Sequence, residues 1–84
     1  MSNQDLVVVH QEEQHRFVVN TQGVEAVLEY HLVGQDIDFH RTFVPPVLRG
    51  QGIAEKLVRT GLAWAKSEGV NINASCSYVV KFLR

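Results

Sequence analysis

The chain has 84 residues, 45% of them apolar, and a net charge of -1 from eight basic and nine acidic side chains. This length allows one domain, near the lower limit for a core that folds unaided. The balanced charge argues against a nucleic-acid-binding face, and no apolar run approaches the roughly 20 residues of a membrane span. We therefore expect a single domain over residues 6–84 with neither a nucleic-acid nor a membrane partner.

Two features of the sequence favour a cytoplasmic location. The N-terminal stretch "MSNQDLVVVHQEEQ" lacks the basic and long apolar regions of a signal peptide. The chain has a single cysteine, Cys76, so no intramolecular disulfide can form.

The four histidines do not cluster at the spacing of a metal site, and we expect no metal.

The first half of the chain has the patterns of four strands. Residues 6–10 and 16–20 are short β-branched runs joined by the polar connection "QEEQH". Residues 24–33 and 36–44 alternate between apolar and polar side chains, as half-buried strands do. In 36–44 this alternation predicts that Ile37, Phe39 and Phe43 share one face and that Asp36, Asp38, His40 and Thr42 share the other. Short connections predict an antiparallel meander.

The apolar period then changes to that of a helix. From Ile53 onward the apolar residues fall on one half of a helical wheel, and Gly69 is a suitable C-terminal stop. Residues 70–74 predict a short strand, and 77–83 a short closing helix, with a strand as the alternative. A strand, a helix and a further strand usually form a parallel pair. The fold class is therefore α+β, with a mixed sheet that becomes parallel where the strand ending at residue 44 meets the strand beginning at residue 70.

The stretch "VPPVLRGQGIAEKL" (44–57) joins the fourth strand to the long helix. Its two prolines end the strand, while Gly50 and Gly52 permit positive φ and leave space above the backbone. The unpaired N–H groups and positive dipole of the helix start can hold an anion, best a phosphate, and Arg49 adds a positive charge. The P-loop pattern is absent, and Glu55 replaces the third glycine of the dinucleotide fingerprint.

The motif Arg-x-x-Gly-x-Ala, formed by Arg49, Gly52 and Ala54, resembles the diphosphate loop of the GNAT (GCN5-related N-acetyltransferase) superfamily. Together with the helix, the next strand and Cys76, the stretch 42–83 is similar to small stand-alone GNAT-like proteins. The resemblance implies a transferase that uses acetyl-CoA (coenzyme A) as acyl donor. The acceptor would be an unidentified amine, and the protein a monomer or weak dimer.

The resemblance also implies how coenzyme A lies. Pantetheine would enter between the splayed ends of the parallel strands and pair with the backbone near Phe43 and Val44. The diphosphate would contact N–H groups of the loop and helix start, namely Arg49, Gly50, Gln51, Gly52, Ile53 and Ala54. Tyr78 and Lys81 are further candidate contacts, with core packing the alternative for Tyr78 and solvated surface the alternative for Lys81.

Two residues are candidates for catalysis. Cys76 follows a strand and precedes a predicted helix start that would favour its thiolate, although a small buried hydrophobe is the common role of a lone cysteine. His40, in the strand that would pair with pantetheine, is a candidate base, with an ordinary surface histidine as the alternative. Related proteins often have an acid before the Val-Pro and a histidine two residues earlier, but Phe43 and Arg41 occupy those positions here. The alternative is therefore a non-catalytic acyl-CoA-binding or interaction domain.

Overall fold

The described part of the chain, residues 6–83 of the computed structural model, contains five strands and two α-helices. In chain order these are β1 (Val8–Gln11), β2 (Arg16–Thr21), β3 (Val24–Val33), β4 (Asp36–Phe43), α1 (Ile53–Glu68), β5 (Asn71–Ala74) and α2 (Ser77–Val80). Short 3-10 turns span Glu12–Gln14 and Pro46–Leu48. The predicted order is confirmed, and the closing segment forms a helix rather than a strand. Arg84, the last residue of the predicted domain, lies outside the described residues.

The strands form one mixed sheet in the order β1-β2-β3-β4-β5. The first four are antiparallel, and β5 is parallel to β4, as predicted. The parallel pairing runs from Asp36 opposite Asn71 to Phe39 opposite Ala74, so β4 continues beyond the end of β5. The length of α1 explains this, because its 16 residues span about 24 Å and return the chain to the beginning of β4.

The main core lies between one face of this sheet and α1. Its largest fully buried side chains are Tyr30, Phe17, Phe39, Leu28, Ile37, Leu48, Ile53, Leu57, Val19, Val58 and Val79. The predicted apolar stripe of α1 faces this core, and at Gly61 the helix backbone approaches the side chains of Leu28 and Phe39 closely. No helix in residues 6–83 has the length and apolar character to cross a membrane.

A β-bulge interrupts β4. Glu29 lies opposite Arg41, but the next residue, Tyr30, lies opposite Phe39, so His40 has no partner on β3. The extra residue reverses the alternation of the strand beyond it. Thr42 therefore lies opposite the core residue Leu28, on the helix side of the sheet.

The same reversal moves Phe43 away from the core. Phe43 lies opposite Val27, whose strand neighbours face α1, and it is 39% exposed on the outer face of the sheet. The prediction that Phe43 shares a face with Ile37 and Phe39 is therefore wrong. Simple alternation assumes one residue per pleat, and the bulge adds one.

Candidate functional site

The loop between β4 and α1 has the backbone that its glycines and prolines predict. The strand stops before Pro45, and the following 3-10 turn buries Leu48 completely. Gly50 and Gly52 have φ values of 83° and 76°, in the left-handed region that favours glycine. Gly52 is also the N-cap of α1. The loop thus changes direction twice immediately before the helix begins.

The space above this loop is open. A Cβ atom added at Gly50 or Gly52 would meet no atom within 4 Å. No side chain caps the first turn of α1, so the N–H groups there have no capping partner in the described protein. An uncapped helix start with open space in front of it is suited to binding an anion.

A cleft of about 200 Å³ lies against the loop. It is lined by Val44, Leu48, Arg49, Gly50, Gly52, Ile53, Ala54, Glu55 and Tyr78. The structure therefore brings the end of β4, the glycine loop and the start of α2 together, although Val44 and Tyr78 are 34 positions apart in sequence. The side chain of Ile53 is buried in the core, so this residue faces the cleft mainly through its backbone.

The other predicted ligand contacts do not line the cleft. Gln51 is a half-buried member of the loop, and Phe43 lies on the opposite face of the sheet, where the guanidinium of Arg41 lies 5.2 Å from its ring centroid. Lys81 remains close to the cleft, because its ammonium lies 5.6 Å from the centroid of the Tyr78 ring. Tyr78 thus lines the cleft and lies beside the positive charge of Lys81.

Arg49 has a structural contact that its sequence position did not indicate. Its Nε donates a hydrogen bond to the backbone carbonyl of Val44 at 3.0 Å, which ties the loop to the end of β4. The remaining guanidinium N–H groups can still contact an anion.

Leu48 and Glu55 also line the cleft but were not among the predicted contacts. Leu48 anchors the loop by burial. Glu55 forms an ion pair with Arg59 one turn later, with Nε and Oε2 separated by 2.7 Å. The i, i+4 spacing of this pair was visible in the sequence, but its position beside the cleft depends on how the loop enters α1.

Cys76 lies beside β4, where the parallel pairing ends. Its backbone N–H donates to the carbonyl of Phe39 at 3.1 Å, and its Sγ lies 3.5 Å from Oγ1 of Thr42. Cys76 is half-buried against the core and precedes α2 as its N-cap. Thr42 is a contact that the sequence did not indicate, because the bulge turns it toward Cys76.

The surroundings of Cys76 favour its charged form. Burial raises the pKa of the thiol, but hydrogen bonding from the Thr42 hydroxyl and from the backbone N–H groups of Val79, Tyr78 and Thr42 outweighs burial. The pKa of Cys76 therefore lies below its ordinary value. Sγ makes no regular capping hydrogen bond to α2, and the N–H groups at the start of this helix favour the thiolate through their dipoles.

The structure does not bring the side chains of His40 and Cys76 together. The imidazole of His40 stacks on that of His31, with ring centroids 4.0 Å apart and planes inclined by 15°. His31 alternates with the core residues Tyr30 and Leu32, which places the histidine pair on the outer face of the sheet. Cys76 packs on the core side, so the two candidates lie on opposite faces.

Sequence comparisons find a matching family model and similar proteins. A family model described as GCN5-related N-acetyl-transferase matches residues 16–84. Protein NATD1 of Bos taurus is 35% identical over 80 residues, which cover 92% of this chain and 71% of that protein. Protein NATD1 of Danio rerio is 30% identical over 82 residues, covering 94% and 74%.

A solved structure has the same fold. The NMR structure of a GCN5-like protein from Staphylococcus aureus, described as a candidate N-acetyltransferase, superposes with a TM-score of 0.71. It is 29% identical in sequence, and the match covers 99% of this chain and 80% of that one. The mixed sheet with its long helix and short closing helix is therefore a GNAT-like fold. By both the family model and these relatives, the chain belongs to the GCN5-related N-acetyltransferase family.

Proposed function

We propose that the protein transfers an acetyl group from acetyl-CoA to an amine. The observation that carries this proposal is the uncapped start of α1 behind two left-handed glycines, which opens into the cleft between β4 and α2. Backbone N–H groups of residues 49–54 and the helix dipole would hold the diphosphate, and Arg49 would add a charge-assisted contact.

The free part of β4 gives the rest of the cofactor a place to bind. The pairing with β5 ends at Phe39, so the backbone that continues to Phe43 and Val44 has no β5 partner on that side. Amide groups of pantetheine can form the missing hydrogen bonds there. A cofactor bound in this way would direct its thioester toward the end of β5, beside Cys76.

The acetyl group is relayed through Cys76 in this proposal. The Cys76 thiolate attacks the thioester carbonyl carbon, the bond from that carbon to the CoA sulfur breaks, and CoA leaves as a thiolate that takes up a proton. A neutral amine then attacks the carbonyl carbon of the acetyl-cysteine, the bond from that carbon to Sγ breaks to release the Cys76 thiolate, and the nitrogen gives a proton to solvent as the amide forms. The amine must first lose a proton, and in this proposal it loses it to solvent, because the predicted base His40 lies on the face of the sheet opposite Cys76.

Calorimetric titration with CoA and acetyl-CoA tests the binding step, with ATP and NAD as control nucleotides. We expect heat from CoA in preference to ATP or NAD. The proposal would be overturned by the absence of both heat and a thermal shift at millimolar CoA.

Intact mass measurement tests the relay. Incubation with acetyl-CoA should add one acetyl group to the protein, and Cys76→Ser should abolish the adduct and the turnover of amines. If amines are acetylated at the wild-type rate by Cys76→Ala, the amine attacks acetyl-CoA directly and the relay is wrong, while the acetyltransferase activity stands.

The second candidate is an acyl-CoA-binding domain without catalysis. Two observations favour it, the apolar Phe43 at the position where related proteins often have an acid and the location of His40 on the face opposite Cys76. This candidate predicts tight CoA binding with no amine-dependent release of CoA. A screen of small amines, polyamines and peptides that follows free CoA with a thiol reagent separates the two functions.

A further inference from the structure

Thr42 and Cys76 form a side-chain pair between two elements that are distant in sequence. The hydroxyl oxygen lies 3.5 Å from the sulfur, and the residues are 34 positions apart. Both side chains are half-buried, so water could satisfy the Thr42 hydroxyl without the sulfur. The contact is therefore not imposed by the burial of an otherwise unpaired polar group.

The bulge at His40 creates this pair. In a regular strand Thr42 would face away from the helix layer, because Phe39 faces it and faces alternate. The extra residue turns Thr42 inward, opposite Leu28, at the place where β4 separates from β5. Bulges commonly reorient a side chain next to an active site, and Thr42 is the polar side chain that this one turns inward.

We propose that Thr42 is a positioning residue whose hydroxyl donates a hydrogen bond to the Cys76 thiolate and holds the sulfur for attack on the acyl donor. This assignment rests on the relay through Cys76 in the proposed function. It goes beyond that function because it names the group that prepares the nucleophile.

The hydroxyl suits each state of the relay, because it can rotate. Opposite the neutral thiol it accepts a hydrogen bond from S–H, and opposite the thiolate it donates its own O–H. The Thr42 proton stays on its oxygen throughout, since the thiol proton leaves to solvent before attack. When the acetyl group occupies the sulfur the hydroxyl loses a strong acceptor, and it regains that acceptor when the amine takes the acetyl group.

Dipoles rather than charges surround the sulfur. The groups that lower the pKa of Cys76 are the Thr42 hydroxyl and the backbone N–H groups of α2 and of Thr42 itself, and no ionised side chain of the described residues is among them. Thr42 is the side-chain donor in this set, so a single substitution can remove its part and leave the backbone dipoles in place.

The test measures iodoacetamide alkylation of Cys76 between pH 6 and 10 in the wild type, Thr42→Val and Thr42→Ser. Valine keeps the shape of threonine without the hydroxyl, and serine keeps the hydroxyl. Thr21→Val, at the end of β2, is the matched control for the same change on another strand. We expect Thr42→Val to react about tenfold more slowly at pH 7, with its pH midpoint shifted upward, because a hydrogen bond to a charged group is lost. Thr42→Ser and Thr21→Val should follow the wild-type profile.

Two results would overturn the assignment. One is a folded Thr42→Val protein with the wild-type pH profile, and the other is an equal loss in Thr42→Ser, which would indicate packing rather than the hydroxyl. If Thr42→Val does not fold, Thr42→Ala provides the second hydroxyl-free variant for the same comparison. Alkylation needs neither CoA nor an amine. This experiment therefore tests the role of Thr42 independently of the CoA titration that tests the proposed function.

Discussion

Replacement of Gly52 by aspartate probes the diphosphate site with little damage to the fold. Gly52 has a φ of 76°, and no atom lies within 4 Å of the position that a Cβ would take. The variant therefore pays for a left-handed backbone, about 1 kcal/mol, without a steric clash. Aspartate tolerates this region better than most residues. Since small domains are stable by about 5–15 kcal/mol, the protein should stay folded.

The effect on binding should be much larger than the effect on stability. A carboxylate about 5 Å from a phosphate charge, at an effective dielectric constant of about 20, opposes binding by about 3 kcal/mol. This corresponds to a loss of affinity of more than about a hundredfold, because about 1.4 kcal/mol is a factor of ten. The new side chain also occupies the space above the loop that the diphosphate would use.

The assay compares the dissociation constant for CoA with the urea midpoint in three variants. Gly23→Asp is the matched control, because Gly23 has a φ of 74° and the same open surroundings but lies in the turn between β2 and β3. Gly52→Asn has the shape of aspartate without its charge. We expect similar losses of stability in all three, wild-type affinity in Gly23→Asp, intermediate affinity in Gly52→Asn and the greatest loss in Gly52→Asp. A folded Gly52→Asp protein that binds CoA normally would refute the assignment of the diphosphate to this loop.

Three further predictions concern the core, an N-terminal histidine and the loop arginine. Gly61→Ala gains about 1 kcal/mol of helix propensity, but its Cβ would lie 2.8 Å from Cδ2 of Leu28 and 3.1 Å from Cε1 of Phe39. Overpacking of this kind costs about 1–3 kcal/mol, so urea unfolding should show a net loss, and a more stable variant would contradict the close approach of α1. Burial lowers the pKa of His10 below 6.5, so its contribution to stability is complete above that pH and is lost as the pH falls through the lowered folded-state value. The denaturation midpoint should therefore fall more steeply with decreasing pH in the wild type than in His10→Gln. Identical slopes in the two proteins would exclude His10 as a cause of the acid sensitivity. Arg49→Ala should weaken CoA binding by about 1–3 kcal/mol in calorimetry, less than Gly52→Asp, whereas unchanged affinity would leave this arginine with only its bond to the end of β4.

Local patterns in the sequence determined the elements and the shape of the loop. Alternation with a period of two and the later helical period predict the observed order of strands and helices. Each period follows from which side chains within one segment face the core and which face solvent. The positive φ values at Gly50 and Gly52 follow from the residue type and from the helix that begins directly afterwards. Through the motif that begins at Arg49 these features were enough to predict the family, while the anion site at this loop stays a prediction.

Only the tertiary structure decided which side chains meet at the site. The bulge at His40 depends on how β4 aligns with β3. Residues 36–44 contain neither a glycine nor a proline that would indicate a bulge. Its consequences are the outward turn of Phe43, the stacking of His40 on the outer face and the contact between Thr42 and Cys76. The length of α1 likewise decided where β5 pairs with β4 and hence where the two strands separate. Strand register, and the position at which the chain returns to the sheet, depend on pairs of elements that are far apart in the chain. The pattern of a single segment therefore cannot predict them.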